Sequence, residues 1–116
     1  MDDLKRHLRE LETADVVAFG GVGFAGEILP ATRAYDAVAD QLSPALRPKL
    51  DRMLDRATPA GKVYAATLLS RLDPPAGQDA WQRLTRDHSA VNTFTGCVKG
   101  RTTLSEYASS QRHASR

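Results

Sequence analysis

The chain has 116 residues, which is enough for one domain with a single core and too few for two. Its composition, 41% hydrophobic and 26% charged, is typical of a globular protein, and a net charge of +2 is too small to indicate a polyanionic partner by itself. A single cysteine, Cys97, excludes an internal disulfide, and no run approaches the roughly 20 apolar residues that span a bilayer. We therefore expect a cytoplasmic protein with no membrane attachment.

The N-terminal segment, residues 2–13, has the pattern of an amphipathic helix. Leu4, Leu8 and Leu11 stand at i, i+4 and i+7, which places them on one side. The apolar, glycine-rich stretch 15–29 then breaks the helical period. The sequence therefore predicts a helix that leads into a long irregular segment.

Four more helices are predicted in the middle of the chain. Pro30, Pro44 and Pro59 each suit the first turn of a helix, where the N–H that proline lacks would have no partner. Apolar residues then repeat with helical spacing, and the second Pro-initiated segment carries a mixed-charge face that we interpret as solvated. The predicted helices are 30–42, 44–56, 59–72 and 76–87, of which 59–72 has few charges and should be the most buried.

The C-terminal third gives weaker patterns. Alternating apolar and polar residues near 91–98 are consistent with a short β-hairpin. Thr103 and Glu106 have capping-box spacing, which predicts a last helix that includes Leu104 and Tyr107. Residues 111–116 are polar and should form a flexible tail.

Together these elements predict a mainly α fold in a single domain, residues 1–110. Short links favour antiparallel neighbours, so we expect helical hairpins stacked as in HEAT-like proteins. The expected pairs are 30–42 with 44–56 and 59–72 with 77–87. The glycine-rich segment should cross this helical stack as an apolar loop.

The loop contains Gly21, Gly23 and Gly26 in the spacing G-x-G-x-x-G, after the apolar run Val16 to Phe19. A dinucleotide site needs a long helix at the last glycine and a second parallel strand that ends in an acid. Here Pro30 delays the helix, and the region where that strand should lie has helical periodicity. We therefore predict no nucleotide cofactor and interpret the glycines as positions where the backbone packs closely.

Two interpretations of the loop's apolar side chains stay open. In one, Val22 and Phe24 pack into the helical core. In the other, part of the loop is exposed and forms a partner-binding surface. The candidate partner-binding residues are Val17, Phe19, Val22 and Phe24.

Other chemistry-bearing residues do not combine into a site. Asp87, His88 and Ser89 are the residue types of a hydrolase triad, but adjacent residues rarely converge in that geometry, and a helix end is the simpler interpretation. The three histidines are widely spaced, so we predict no metal site. Cys97 is interpreted as a small core residue, and Lys62 gives helix 59–72 too little positive charge for a DNA-recognition helix.

Three segments, "GGVGFAG", "TPAGKVYAATLLSRLD" and "TGCVKG", resemble a group of small bacterial helical proteins with no assigned activity. The resemblance covers residues 19–99 and implies a structural family without catalytic residues. The positions that match are Gly20, Gly21, Gly23, Gly26, Gly61, Tyr64, Gly96 and Cys97.

The functional prediction is a non-enzymatic protein-binding module. One version is an immunity protein that neutralises a bacterial toxin. The alternatives are a small-molecule-binding protein or enzyme that uses the glycine-rich loop beside Tyr35, Tyr64 and Cys97, and a weak nucleic-acid-binding protein. For the last, the basic residues of 97–116 would contact phosphates.

Overall fold

Helices form most of the part of the chain that the computed structural model describes, residues 2–23 and 26–114. The helices are α1 (Asp2–Glu12), α2 (Pro30–Asp40), α3 (Arg47–Arg56), α4 (Pro59–Leu72), α5 (Pro74–Leu84) and α6 (Leu104–Ala114). A 3₁₀ turn, Pro44–Leu46, precedes α3, and two strands, β1 (Ala90–Thr95) and β2 (Val98–Thr103), separate α5 from α6. The predicted mainly α fold with a short hairpin is confirmed.

Proline sets where the middle helices begin. Pro30, Pro59 and Pro74 are each the first residue of a helix. Helix α5 therefore begins two residues before the predicted start at Ala76, because Pro74 and Pro75 both lie in the first turn, where no backbone N–H is needed. It ends at Leu84, three residues before the predicted end.

The core is centred on α4. Eight of its fourteen residues are buried, more than in any of the other Pro-initiated helices, which confirms the prediction for this segment. Helix α4 packs against α3, α5 and α1. It therefore lies in the middle of the helical stack.

Two glycines of α4 and α5 permit these close approaches. A Cβ at Gly61 would lie 2.6 Å from the carbonyl oxygen of Leu11 and 2.8 Å from the Cβ of Ala57. A Cβ at Gly77 would overlap Ser70 of the neighbouring helix. The helices pack this closely because Gly61 and Gly77 have no side chains.

One predicted pairing is wrong. Helix α2 packs mainly on α1 and has few contacts with α3. The prediction assumed that a short link returns the chain along the preceding helix, whereas this link continues into the 3₁₀ turn Pro44–Leu46 before α3 begins. The second predicted pair, α4 with α5, is observed.

The hairpin is longer than predicted. Strands β1 and β2 pair antiparallel from Ala90 opposite Thr103 to Thr95 opposite Val98. Gly96, in the two-residue turn, has a φ of 58°, a conformation that glycine adopts without strain. The last helix includes Leu104 and Tyr107 as predicted, and it runs from Leu104 to Ala114. The flexibility of residues 111–116 stays a prediction.

Candidate partner-binding surface

The glycine-rich loop begins by joining the hairpin. The N–H of Val17 donates to the carbonyl of Asn92 at 2.8 Å, and the carbonyl of Val17 accepts from the N–H of Phe94 at 2.9 Å. These bonds form a parallel bridge between Val17 and Thr93. The free edge of β1 is therefore occupied by the loop.

A buried tyrosine of α4 holds the next residues. The Tyr64 hydroxyl accepts a hydrogen bond from the N–H of Ala18 at 2.8 Å, and it lies 3.0 Å from the carbonyl of Ala18 and 3.3 Å from that of Val16, either of which can accept its proton. Thr32 of α2 also donates to the carbonyl of Ala18, at 2.8 Å. The buried polar groups of Ala18, Thr32 and Tyr64 therefore all have hydrogen-bond partners, as is usual for polar groups in a protein core.

Burial raises the pKa of Tyr64 to about 12. The phenol therefore stays neutral over the physiological range, with its oxygen engaged by the backbone. Tyr64 is best described as a positioning residue of the loop.

The start of α4 holds the end of α1 and Ala14, the residue before the loop. The Thr58 hydroxyl accepts from the N–H of Gly61 at 3.1 Å, as an N-cap does, and donates to the carbonyl of Ala14. The N–H of Thr58 also donates to the carbonyl of Glu12 at 2.9 Å. Both ends of the segment from Ala14 to Ala18 are thus fixed to α4.

Backbone hydrogen bonds join the two ends of the glycine motif. Val22 and Glu27 exchange two backbone hydrogen bonds of 2.8 and 2.7 Å, and the N–H of Gly23 donates to the carbonyl of Gly96 at 2.7 Å. A Cβ at Gly21 would lie 2.7 Å from the carbonyl oxygen of Gly26. Close backbone packing therefore explains Gly21 alone, whereas Gly23 and Gly26 have φ values of 74° and 62°, a conformation that favours glycine. Helix α2 begins only at Pro30, so its N-terminus does not lie at the last glycine as a dinucleotide-binding motif requires.

The predicted site residues have different environments. Val17 and Val22 are 3% and 2% exposed, so they belong to the core and leave the candidate surface. Phe19 is 41% exposed. Phe24 lies outside the described residues. The surface interpretation of the loop therefore depends on Phe19.

Phe19 stands on two aromatic rings. Its ring lies edge-on to Tyr35 at 5.0 Å and to Tyr64 at 5.3 Å between centroids. Edge-to-face contacts of this length add to the stabilisation from burial. The Phe19 ring thus packs against two tyrosine rings while 41% of the residue remains exposed.

The triad residue types do not form a triad. Asp87 contacts the Lys62 ammonium at 3.1 Å and accepts from the N–H of Ser89 at 2.9 Å, while His88 is exposed. Hydrogen bonds from Ser89, together with Lys62, lower the pKa of the Asp87 carboxyl. All three residues lie in the link after α5, which ends at Leu84. The interpretation as a helix end is therefore wrong, and the three residues form a loop in which Asp87 contacts Lys62.

Cys97 is not a core residue. It is exposed in the hairpin turn, and the neighbouring Val98 is 69% exposed. The prediction was wrong because a two-residue turn directs its residues away from the sheet that it joins. Within the described residues, no group of three His, Cys, Asp or Glu side chains could hold a metal ion.

Comparison with known proteins identified no relative. No protein-family model, no curated protein and no solved structure matches the chain. In the described part of the chain, no helix has the length and apolar character needed to cross a membrane.

Proposed function

We propose that this protein is a non-enzymatic protein-binding module whose contact surface is centred on Phe19. The observation that supports the proposal most directly is the exposure of this one aromatic ring, 41%, in a loop that is otherwise held by hydrogen bonds. Large aromatic residues are enriched at the centres of protein interfaces. Transfer of an exposed aromatic ring from water into an interface is favourable and would stabilise a complex with a partner.

The rigidity of the loop supports the same function. Phe19 follows directly on Ala18, whose N–H and carbonyl are both bonded to side chains of the core. A ring that is already fixed loses little conformational entropy when a partner covers it. The loop therefore presents Phe19 in one orientation, as a preorganised binding surface does.

The test compares two exposed apolar residues. Proteins from the native host are captured with three tagged forms of the chain: wild type, Phe19→Asp and Val98→Asp. The Val98 variant is the control, because Val98, like Phe19, is large, apolar and exposed. We expect wild type and Val98→Asp to retain one stoichiometric partner and Phe19→Asp to lose it, with a loss of affinity of about 30-fold or more for a central aromatic residue.

Circular dichroism checks that each variant keeps its helices. Phe19→Arg is the second variant, because its long side chain can lie along Tyr35 and preserve packing while it changes the surface. If both Phe19 variants fold and retain the partner, the surface centred on Phe19 is not the interface. If no variant and no wild-type protein captures a partner, the protein-binding proposal fails.

The identity of the captured protein tests the finer version of the proposal. A toxin whose activity is inhibited by the bound chain would make this an immunity protein. Retention of a small molecule or of nucleic acid instead of a protein would favour the alternatives. A thermal-shift panel of nucleotides and a gel-retardation assay over a range of salt concentrations distinguish those two classes.

A further inference from the structure

A second feature of the surface lies away from the loop. A cleft of about 270 Å³ separates α1 from α3. Four cationic side chains line it, Lys5 and Arg9 from α1 and Lys49 and Arg52 from α3, and the only carboxylate in the lining is that of Glu12. The cleft therefore carries a local positive charge that the small net charge of the whole chain does not show.

Three acids near these cations form ion pairs with other cations. Asp3 pairs with Arg6 at 3.0 Å, Asp51 with Arg47 at 4.0 Å, and Asp55 with Arg83. Each of these carboxylates is directed to a cation outside the cleft lining. Within residues 2–23 and 26–114, none of the four cleft cations has an ion pair. Their charges are available to an external anion.

The remaining lining residues are apolar. Leu8 and Met53 are 7% and 4% exposed and form the floor between the two cationic rims. A methionine side chain adapts its shape to what contacts it. The cleft thus combines an apolar base with cationic sides.

The size of the cleft indicates what it can hold. Pockets that enclose whole cofactors or drug-sized ligands measure about 300–1,000 Å³, and this open cleft is smaller than that range. It has room for one large apolar side chain. The surrounding cations would then contact carboxylates on either side of that residue.

Nucleic acid fits the lining less well. Single strands are bound by stacking of bases on aromatic side chains, and no aromatic residue lines the described cleft. An alternation of carboxylates with an apolar side chain matches both features of the lining.

We propose that the α1–α3 cleft binds an acidic protein segment in which an apolar side chain is flanked by carboxylates. This inference does not depend on the Phe19 surface, because the two surfaces share no residue. It goes beyond the proposed function by giving the chemistry of a second contact.

The test uses a fluorescein-labelled peptide of repeated Glu-Glu-Leu and a matched peptide of repeated Gln-Gln-Leu. Anisotropy titrations at low salt compare wild type with Arg9→Gln/Arg52→Gln and with Arg33→Gln/Arg86→Gln, a control pair that is exposed, outside the cleft and equal in charge change. Lys5→Gln/Lys49→Gln is an independent second variant of the cleft.

We expect saturable binding of the Glu peptide by wild type and by the control pair. Each cleft pair should weaken binding by about tenfold, since two rim charges are lost. The Gln peptide should bind at least about tenfold more weakly, and rising salt should weaken the Glu complex. Phe19→Asp should bind the Glu peptide as wild type does, which separates this proposal from the preceding one.

Three results would overturn the inference. The first is the absence of saturable binding, and the second is an equal loss in the cleft and control pairs, which would show a general effect of charge. The third is tighter binding of a labelled oligothymidylate than of the Glu peptide, with the same dependence on Arg9 and Arg52, which would assign the cleft to nucleic acid.

Discussion

Replacement of Tyr64 by Phe tests whether one hydroxyl holds the glycine-rich loop. The ring stays in the core, so the change removes only the oxygen that accepts from the N–H of Ala18 at 2.8 Å. Ala18 is 1% exposed, so water does not readily replace the lost partner. A buried donor left without an acceptor costs about 1–3 kcal/mol. The carbonyl of Ala18 keeps its bond from Thr32, so we expect a loss of about 2 kcal/mol in the free energy of unfolding.

The assay is denaturant unfolding followed by the fluorescence of the only tryptophan, Trp81, which is 2% exposed. Tyr35→Phe is the matched control. Its hydroxyl accepts one long bond, 3.4 Å, from the exposed Arg71, which water can replace, so we expect a loss below about 0.5 kcal/mol. In thermal melts the Tyr64 variant should be lower by about 5–10 °C. If Tyr64→Phe loses no more stability than Tyr35→Phe, the hydroxyl does not anchor the loop.

The same variant changes the response to alkaline pH. The pKa of Tyr64 rises from 10.0 to about 12 on folding, so the unfolded chain releases this proton first. The stabilisation is complete below pH 10.0 and is lost as the pH rises towards about 12. Burial also raises the pKa of Tyr107, which remains in both proteins. The alkaline loss of stability should therefore be smaller in Tyr64→Phe than in wild type, and an unchanged loss would contradict the assignment.

Two other predictions concern helix packing and the link after α5. Gly77→Ala should lower the free energy of unfolding by about 2 kcal/mol, because the new Cβ would overlap Ser70. The same change in an open helix stabilises a protein by about 0.5–1 kcal/mol. A higher free energy of unfolding in urea for the variant would refute this packing. Asp87→Asn should cost about 1 kcal/mol at neutral pH by weakening the contacts with Lys62 and Ser89. Since folding lowers the pKa of Asp87, its contribution is present above the ordinary aspartate pKa and is lost as the pH falls through the folded value, so wild type and Asp87→Asn should converge in acid melts.

Most helices could be predicted from the sequence because their signals are local. Proline at Pro30 and Pro59 and the apolar repeats after them place α2 and α4 correctly at their first residues. The pairing of α2 with α1 could not be predicted in this way. It depends on the packing of residues far apart in the chain, and a short link was a poor guide to it.

The loop was harder to predict, because residues 15–29 have neither a two-residue nor a helical period. Without a period, the sequence does not indicate which apolar side chains face the core. The bonds of Val17 to Asn92 and Phe94 decide this point, and they join residues more than seventy positions apart. The structure thus buries Val17 and Val22 and leaves Phe19 exposed.

The sequence contains a pattern that indicates the α1–α3 cleft. The interpretation of the mixed-charge helix face as solvated did not use this pattern. Lys5 and Arg9 are four residues apart in α1, and Lys49 and Arg52 are three apart in α3, so each pair lies on one side of its helix. That the two sides line one cleft is a property of the tertiary structure. In the sequence, the acidic residues of both helices make the charge of this region look balanced. In the structure, Asp3, Asp51 and Asp55 form ion pairs with arginines outside the cleft.

The bridge between Val17 and β1 has a consequence for the order in which the protein acquires its structure during synthesis. The partners of Val17 are Asn92 and Phe94, so the loop cannot complete its pairing until both of these residues have left the ribosome. Helices α1 to α5 consist mainly of local contacts, which form early, whereas this closure joins distant segments and is slow. Until then the apolar residues of the loop lack their strand partner. The nascent chain therefore exposes the apolar residues of the loop until Phe94 emerges, the period in which a chaperone would have most reason to bind them.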